Sequence, residues 1–250
     1  MPVRCFLPSE DWPREIGETV ISRGREGHHL ARVLRVREGD TVFCFDGQGR
    51  ELEGTVQQVK AGQILLRAGP TKQLPPPPWE VVLGIAIPGQ GRLEEIVNSA
   101  TQLGVSAIFP LLTERTVVRF TPERFERKRE HLLQVAIEAA KQSSVSRLPV
   151  IRPVTPWREF LPLLAQYHRV FLGALEGPYE PWRALLTPFP ASTPFKLLLL
   201  IGPEGDFSPE EVRQAVEAGA HRIGLGPSTL RCETAVTAAL SVLFFLLREE

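Results

Sequence analysis

Two short loops rich in glycine and proline, at residues 202–205 and 226–228, are the part of the chain best suited to bind a small ligand. Each loop follows a short apolar segment, 197–201 in the first case and 223–225 in the second. Glycine lets the main chain approach a ligand closely where a side chain would block it. In open α/β sheets, ligands bind at the carboxyl ends of strands. The pattern therefore predicts a site in which backbone groups of both loops enclose a small molecule.

A guanidinium and a carboxylate follow the second loop directly. Residues 230–235 read Leu-Arg-Cys-Glu-Thr-Ala at the predicted start of the last helix, which places Arg231 and Glu233 beside the loops. A guanidinium can stabilise charge that develops on a carbonyl oxygen, and a carboxylate can accept a proton. The alternative is that both loops are tight turns without a ligand. The density of glycine, proline and charged residues at two strand ends favours a binding site.

The turn Gly89-Gln90-Gly91 is the other glycine-rich candidate. It follows an apolar strand pattern at 80–87 and precedes a helical pattern, which is where a dinucleotide fingerprint would begin. Glu94 stands where the third glycine of that fingerprint belongs, so a plain strand–helix turn is favoured. The loop at 202–205 is not a P-loop, because no Gly-Lys-Ser or Gly-Lys-Thr follows it. Neither nucleotide motif is therefore predicted.

Several polar residues outside the loops could serve a site or could equally face solvent. Glu138 lies late in a long predicted helix, where both roles remain open. Arg115 and Arg119 follow a predicted strand end and could bind a phosphate or be solvated. The His28-His29 pair favours a polar helix start over a metal site, since no partner ligands accompany it. No metal site is predicted.

Four consecutive prolines at 75–78 divide the chain into two regions of different pattern. Before them, five short segments rich in β-branched and aromatic residues are separated by turn signals. One helical pattern at 26–36 interrupts them, with His29, Leu30, Val33 and Leu34 on one side. Five short strands in about 70 residues predict a small β-barrel over residues 1–74.

After the prolines, strand patterns alternate with helical patterns. One helix is predicted to end at Gly104, a long one to begin with Pro122, and a third to begin with a capping box from Ser208 to Glu211. A final apolar helix begins near Glu233. This alternation predicts a parallel α/β sheet over residues 75–250. The strand patterns occupy 80–87, 107–112, 170–175 and 197–201.

Composition and charge limit the class of protein. The formal net charge is zero, but basic residues concentrate at 21–37 and 115–131. The protein can therefore have basic surfaces although its positive and negative charges balance overall. Three cysteines without a CxxC spacing favour reduced thiols in a cytoplasmic protein over disulfides or a zinc site. The uncharged stretch 234–247 is too short to span a bilayer, and no apolar signal core begins the chain. Neither membrane insertion nor secretion is expected.

The segments described above resemble the signature of the SPOUT methyltransferases and, within them, of the RsmE family. The strings that carry this resemblance are LIGPEG-x-FS-x-x-E at 200–211 and LG-x-x-x-LR-x-ETA at 225–235. Further stretches agree in the family's order: HHLARVLRVREGD, FDGQGRE, ATQLGVSAIFPLLTERTVV and EAAKQSSVSRLPVI. The chain departs from the family pattern at Asp206, Cys232 and Gln102, where the family usually has Gly, Thr and Glu, and in the turn at 90–92.

The resemblance implies an α/β fold with a PUA-like β-barrel at 1–74 and a SPOUT domain at 75–250 that contains a trefoil knot at approximately 197–240. It implies S-adenosylmethionine as the cofactor, held in the knot, and an obligate homodimer. The implied reaction is methylation of ring nitrogen 3 of a specific uridine in 16S ribosomal RNA, on the assembled small subunit. The implied cofactor-binding residues are Ile201, Gly202, Pro203, Gly205, Ile223, Leu225, Gly226, Ser228, Leu230, Thr234 and Ala235.

Ring nitrogen 3 of uracil carries a proton that must leave before or during methyl transfer. We expect Arg231 to stabilise the uracil anion or to anchor its phosphate, and Glu138 or Glu204 to accept the proton. Two alternatives remain open: a related enzyme that acts on another RNA such as tRNA, and a non-catalytic RNA-binding module. RNA contacts are expected from Arg4, Arg23, Arg32, Arg35, Arg115 and Arg119.

Overall fold

The computed structural model describes residues 3–60, 62–89, 91–117, 122–186 and 194–248. Contacts between residues divide the chain into two compact units. The first contains Met1–Pro76 and Ala140–Leu148, and the second contains Pro77–Ala139 and Pro149–Glu250. The border expected at 74/75 lies two residues before this division, and residues 140–148 pack with the first unit. That the two units act as separate functional domains stays a prediction.

In the described part of the first unit, five strands form one sheet. These are β1 (Arg4–Phe6), β2 (Thr19–Ser22), β3 (Thr41–Phe45), β4 (Arg50–Lys60) and β5 (Gln63–Gln73). The order across the sheet is β1-β3-β4-β5-β2, with β1 parallel to β3 and the other neighbours antiparallel. Alternate side chains such as Cys5, Val42, Leu52 and Leu66 point into one apolar core. The prediction of five strands in this region is confirmed.

The segment between β2 and β3 is a helix that changes geometry half-way. Helix α1 (Gly24–His28) continues into a π-helical turn at His29–Val33, closed by a hydrogen bond from Leu34 N to His29 O at 3.0 Å. A π turn spaces side chains differently from an α-helix. Leu30 is fully buried, but Val33 and Leu34 are 62% and 41% exposed. Of the apolar residues predicted to lie on one side of this helix, only Leu30 is therefore buried.

Residues 140–148 contact the first unit through a buried ion pair and a backbone hydrogen bond. Lys141 Nζ donates to Glu26 Oε1 at 3.1 Å, and both side chains are largely buried. Leu148 N donates to Gly47 O at 2.9 Å. A buried charge is costly without its partner, so loss of either member of the Lys141–Glu26 pair would strongly destabilise this region.

The described part of the second unit contains a parallel sheet covered by helices. Its strands are β6 (Trp79–Ala86), β7 (Ala107–Leu112), β8 (Val150–Ile151), β9 (Thr155–Pro156), β10 (Arg169–Gly173), β11 (Phe195–Ile201) and β12 (Ala220–Ile223). The order is β12-β10-β11-β6-β7-β8, with β9 paired to β7, and every pairing is parallel. The carboxyl ends of β10, β11 and β12 therefore meet at one edge. The predicted parallel α/β sheet is confirmed.

Two helices of this unit have the end structures that the local sequence predicts, whereas the short helices at 157–160 and 182–186 were not predicted. Ser208 and Glu211 form the capping box, each side chain bonding the backbone N–H of the other. Gly104 ends a helix in a left-handed conformation with φ 93°. The helices are α2 (Arg92–Leu103), α3 (Pro122–Ser143), α4 (Trp157–Phe160), α5 (Trp182–Leu186), α6 (Pro209–Glu217) and α7 (Cys232–Arg248). Among the described residues, no helix combines the length and apolar character needed to cross a membrane.

Candidate active site

A cavity of about 340 Å³ lies where three loops follow β10, β11 and β12. The loops come from neighbouring strands, so their backbones face one another across the cavity. Its size falls within the usual range for small-molecule sites, about 300–1,000 Å³. The lining residues are Gly173, Ala174, Leu175, Tyr179, Ile201, Gly202, Pro203, Glu204, Asp206, Leu225, Gly226, Pro227, Ser228, Thr229, Leu230, Cys232 and Ala235.

Most of the expected cofactor-binding residues line this cavity. Gly205, Ile223 and Thr234 do not: Gly205 faces Arg115, Ile223 is buried at the end of β12, and Thr234 is exposed on α7. The expected residues that do line it are Ile201, Gly202, Pro203, Leu225, Gly226, Ser228, Leu230 and Ala235. The cofactor roles of all these residues stay predictions.

Sequence reasoning missed the loop that follows β10. Leu175 and Tyr179 from this loop form one wall of the cavity, and Tyr179 Oη donates to Leu175 O at 2.6 Å. The Tyr179 ring packs against Gly224, where an added Cβ would come within 3.0 Å of the ring. The strand pattern at 170–175 was a usable signal. Only the sheet order β12-β10-β11, however, shows that this loop joins the other two.

Glycine is required at Gly202 and Gly226 for different reasons. A Cβ on Gly202 would lie 2.8 Å from Phe207 N and 2.9 Å from Asp206 Oδ1, closer than real Cβ contacts allow. Gly226 has φ 125°, a backbone conformation that side chains strongly disfavour. The loops thus present bare backbone to the cavity. A cradle of this kind fits S-adenosylmethionine, the cofactor that the family resemblance implies.

Asp206 ties the loop after β11 to the loop after β10. It adopts φ 60°, a left-handed conformation in which Asp is better tolerated than most side chains. Its Oδ1 accepts from Phe207 N at 2.8 Å, within its own turn. Its Oδ2 accepts from Leu175 N at 2.9 Å, across the cavity edge. The departure from the family's usual glycine therefore preserves the turn and adds a link between two cavity walls.

Replacing Asp206 by glycine should weaken binding of S-adenosylmethionine about tenfold. Glycine accepts the left-handed turn without strain, so this variant removes the link to Leu175 and the hydrogen bond from Phe207 N within the turn. A hydrogen bond to a charged group contributes about 1.5–3 kcal/mol, which corresponds to a tenfold or greater loss. Calorimetric titration of wild type and Asp206→Gly measures the difference. Asp206→Asn keeps an acceptor and should lose less; equal affinity in all three proteins would rule out a role for the link.

Cys232 holds the loop after β11 through its thiol. Its Sγ donates to Gly202 O at 3.4 Å and is buried. Burial, followed by the negative charges of Glu204 and Glu233, raises the pKa of Cys232 from 9.0 to about 11. The thiol is therefore protonated at neutral pH and acts as a hydrogen-bond donor. It occupies the position where the family usually has the hydroxyl of threonine, which can donate in the same way.

The raised pKa of Cys232 should make stability sensitive to alkaline pH. Between pH 9.0 and about 11 this thiol is protonated in the folded state and ionised in the unfolded state. The free energy of unfolding therefore falls as pH rises through that window. Cys232→Thr keeps a donor and removes the titration. Denaturant titrations at about pH 8 and about pH 10.5 should show wild type losing about 1 kcal/mol more than the variant; parallel losses would contradict the assignment.

Glu204 lies at the rim of the cavity and is held by two donors. Its Oε1 accepts from Gly89 N and from Arg92 Nη1, both at 2.8 Å. The glycine turn before α2, of which Gln90 lies outside the described residues, thus positions a carboxylate at the cavity. This contact explains the turn better than a dinucleotide site does. The role of Glu204 as a proton acceptor stays a prediction.

The remaining catalytic candidates differ in their surroundings. Arg231 is exposed directly beside the cavity-lining Leu230, and its side chain has no hydrogen bond or ion pair among the described residues. Glu233 Oε2 is buried and has no hydrogen-bond partner in the same part of the structure. Glu138 is half-buried on α3 and does not line the cavity. The structure thus brings Arg231 and Glu204 to one site and leaves Glu138 apart.

Of the two arginines expected near the site, Arg115 lies within the described residues and Arg119 does not. Arg115 Nη1 donates to the carbonyls of Gly205 and Phe207, so this side chain supports the loop after β11. Glu211 Oε1 accepts from Glu114 N at 2.8 Å and links the same segment to α6. Arg119 lies outside the described residues, and its RNA contact stays a prediction.

The arginines expected to contact RNA from the first unit separate into one buried and three exposed side chains. Arg4 is only 9% exposed, pairs with Glu51 at 3.3 Å and lies 5.0 Å from the centre of the Phe45 ring. Its guanidinium is largely buried, which favours a structural role, and the expected RNA contact of Arg4 stays a prediction. The exposed ones are Arg23, Arg32 and Arg35.

Comparisons with known proteins agree with this geometry. A family model for the RNA methyltransferase domain matches residues 75–244, and one for the RNA methyltransferase PUA domain matches residues 23–68. Ribosomal RNA small subunit methyltransferase E of Bacillus subtilis is 29% identical over 97% of this chain and 96% of its own length. The protein of the same description from Synechocystis is 31% identical, over 94% of this chain and 76% of its own length.

A solved structure shows the same fold around a bound cofactor. The Legionella pneumophila protein, described as a methyltransferase in complex with SAM, has 30% identity and a TM-score of 0.86, with 97% of each chain covered. The glycine cradle of the present chain fits the same cofactor, and S-adenosylmethionine is confirmed as the predicted cofactor. Among the described residues, no cluster of His, Cys, Asp or Glu could hold a metal ion. The chain belongs to the RsmE family of S-adenosylmethionine-dependent ribosomal RNA methyltransferases.

Proposed function

We propose that this protein transfers the methyl group of S-adenosylmethionine to ring nitrogen 3 of a specific uridine in 16S ribosomal RNA. The observation that carries the proposal is the cradle of three loops with Glu204 in its lining and the exposed Arg231 between the lining residues Leu230 and Cys232. The relatives from Bacillus subtilis and Synechocystis are, by name, methyltransferases of small subunit ribosomal RNA. The uridine and its nitrogen follow from the family resemblance and are part of the proposal.

The cofactor, when bound, supplies an electrophilic methyl group on a sulfonium. Methyl transfer forms the N–CH3 bond, breaks the S–CH3 bond and releases the proton of the uracil nitrogen. The loops fix the position of the methyl donor, and Arg231 stabilises the negative charge that spreads onto the uracil carbonyl oxygens. A carboxylate accepts the proton. Glu204 is favoured for this role because it lines the cavity, and Glu138 is the second candidate.

The last helix supports a homodimer. Most apolar side chains of α7 are buried within the second unit, but Val242 and Phe245 are exposed although both are large and apolar. A second copy of the chain would remove them from water. The trefoil knot at approximately 197–240 belongs to the same proposal and is supported by the family resemblance.

The exposed arginines of the first unit support contact with the small ribosomal subunit. Arg23, Arg32 and Arg35 lie on and around the helix after β2, and such side chains bind phosphates in a salt-dependent manner. A neutral net charge favours recognition of a folded RNA surface over tight binding to any RNA. Three buried free cysteines fit a reducing compartment, and we propose the cytoplasm.

Transfer of labelled methyl to small subunits that lack their native modification tests the proposal. Label recovered as 3-methyluridine is the expected result. Label on tRNA but not on small subunits would favour the alternative of a related enzyme with another substrate. Absence of label on every RNA, together with intact RNA binding, would favour the non-catalytic module and would overturn the proposal.

A further inference from the structure

A second cavity, of about 540 Å³, lies in the second unit beside the start of α2 and α3. Ile87, Pro88 and Leu93, which are all buried, lie at the bottom of the cavity and give it an apolar floor of small exposed area. Its rim is basic and carries Arg124, Arg127, Lys128 and His131, with Glu94 as the acidic member. An apolar floor with a cationic rim suits a ligand that has a flat apolar part and an anionic group.

The charges at this rim do not cancel. Burial opposes the charged form of Glu94, but the hydrogen bond from Lys128 and the positive charge of Lys128 outweigh it, so the pKa of Glu94 lies below its usual value. Glu94 is therefore ionised and pairs with Lys128. Arg127 is exposed and has no hydrogen bond or ion pair within the described ranges. The rim thus keeps an excess of positive charge.

One carboxylate and its partners separate this cavity from the cofactor cavity. Gly89 and Gly91 line the second cavity, and Gly89 N donates to Glu204, which lines the first. Arg92, at the start of α2, donates to the same carboxylate. A ligand in the second cavity would therefore lie next to Glu204, the carboxylate proposed to accept the proton of the uracil nitrogen.

We propose that the second cavity binds one nucleotide of the substrate RNA, adjoining the nucleotide that is methylated. The base lies on the floor of Ile87, Pro88 and Leu93, and the phosphate is bound by Arg127 with its basic neighbours. Sequence-specific RNA recognition commonly uses bases splayed from the strand and held against apolar or aromatic side chains. This inference rests on the proposed function, since it names a substrate subsite of that reaction.

Steady-state kinetics of Arg127→Ala with small subunits as substrate test the subsite. The variant should raise KM for the RNA about fivefold to tenfold and change kcat less than about twofold, because a phosphate contact positions the substrate without entering the chemical step. The slope of log affinity against log salt should fall by about 0.7, the value for one lost phosphate contact to a single strand. Arg127→Glu should raise KM further, and Arg127→Lys should retain most of the affinity.

Arg158→Ala is the matched control, because Arg158 is an 87% exposed arginine on α4 that lines neither cavity. Its KM should equal that of wild type, and calorimetry should give both variants the wild-type affinity for S-adenosylmethionine. An unchanged KM and salt slope for Arg127→Ala and Arg127→Glu, with wild type active, would overturn the subsite and leave the proposed function standing. An inactive wild type would contradict the proposed function itself.

Discussion

Replacing Arg231 by alanine should reduce methyl transfer by about 10²–10³-fold while S-adenosylmethionine still binds. The side chain is exposed, lies between the cavity-lining residues Leu230 and Cys232 in the chain and has no partner among the described residues, so it is available to a substrate. Loss of one group that stabilises a developing anion typically costs this much in kcat. Single-turnover methylation of small subunits measures the chemical step, and calorimetry measures cofactor binding.

Two variants sharpen this test. Arg213→Ala changes another exposed arginine of the second unit, paired with Glu210 and Glu217, and should leave methylation unaffected. Arg231→Lys keeps the charge without the planar fork and should recover only part of the rate. If Arg231→Ala raises KM at constant kcat, the residue anchors the substrate phosphate instead. Full methylation by Arg231→Ala would exclude both roles.

The second large effect is expected from Gly202→Val, which should weaken binding of S-adenosylmethionine by at least about 100-fold. A Cβ at this position meets the backbone of Phe207 and the carboxylate of Asp206 at less than 3.0 Å, and neither can move without reshaping the loop. Because we expect the backbone of this loop to hold the ligand, an altered loop should lose several hydrogen bonds of about 1 kcal/mol each. Calorimetric titration measures the loss.

Gly205→Ala is the control for this prediction. A Cβ there would come no closer than 3.5 Å to Arg115, an ordinary contact, so the affinity should stay within about threefold of wild type. Circular dichroism and thermal melts of Gly202→Val must show a folded protein for the comparison to hold. A folded Gly202→Val that binds the cofactor normally would show that this loop does not form the cradle.

Local chemistry explains why much of the second unit was predictable. The capping box at Ser208, the left-handed Gly104 and the apolar runs that became β7 and β11 each depend on a few neighbouring residues. The two loops of the cradle were predictable for the same reason, because they directly follow such strands. The glycines of these loops matter because they carry no side chain, and they can be identified directly in the sequence.

The rest of the site depends on contacts between distant segments. Tyr179 could not be assigned, because only the order of the strands brings its loop beside the loops after β11 and β12. Arg4 had the charge of an RNA contact, but its burial depends on Glu51 and Phe45 from other strands. The π turn at His29 likewise overrides a helical period that the sequence appeared to carry.

The glycine cradle has a consequence for engineering this enzyme to use enlarged cofactor analogues. Such designs usually shorten a side chain to make a hole for the added substituent. Gly202 and Gly226 have no side-chain atoms that a substitution could remove, so the cavity cannot be enlarged at these two positions. Tyr179 is different, since its ring forms the wall between Leu175 and Gly224. Substitutions of Tyr179 by smaller residues are therefore the ones to test for transfer of bulkier groups. The unchanged glycine loops would keep the cofactor analogue in its natural orientation.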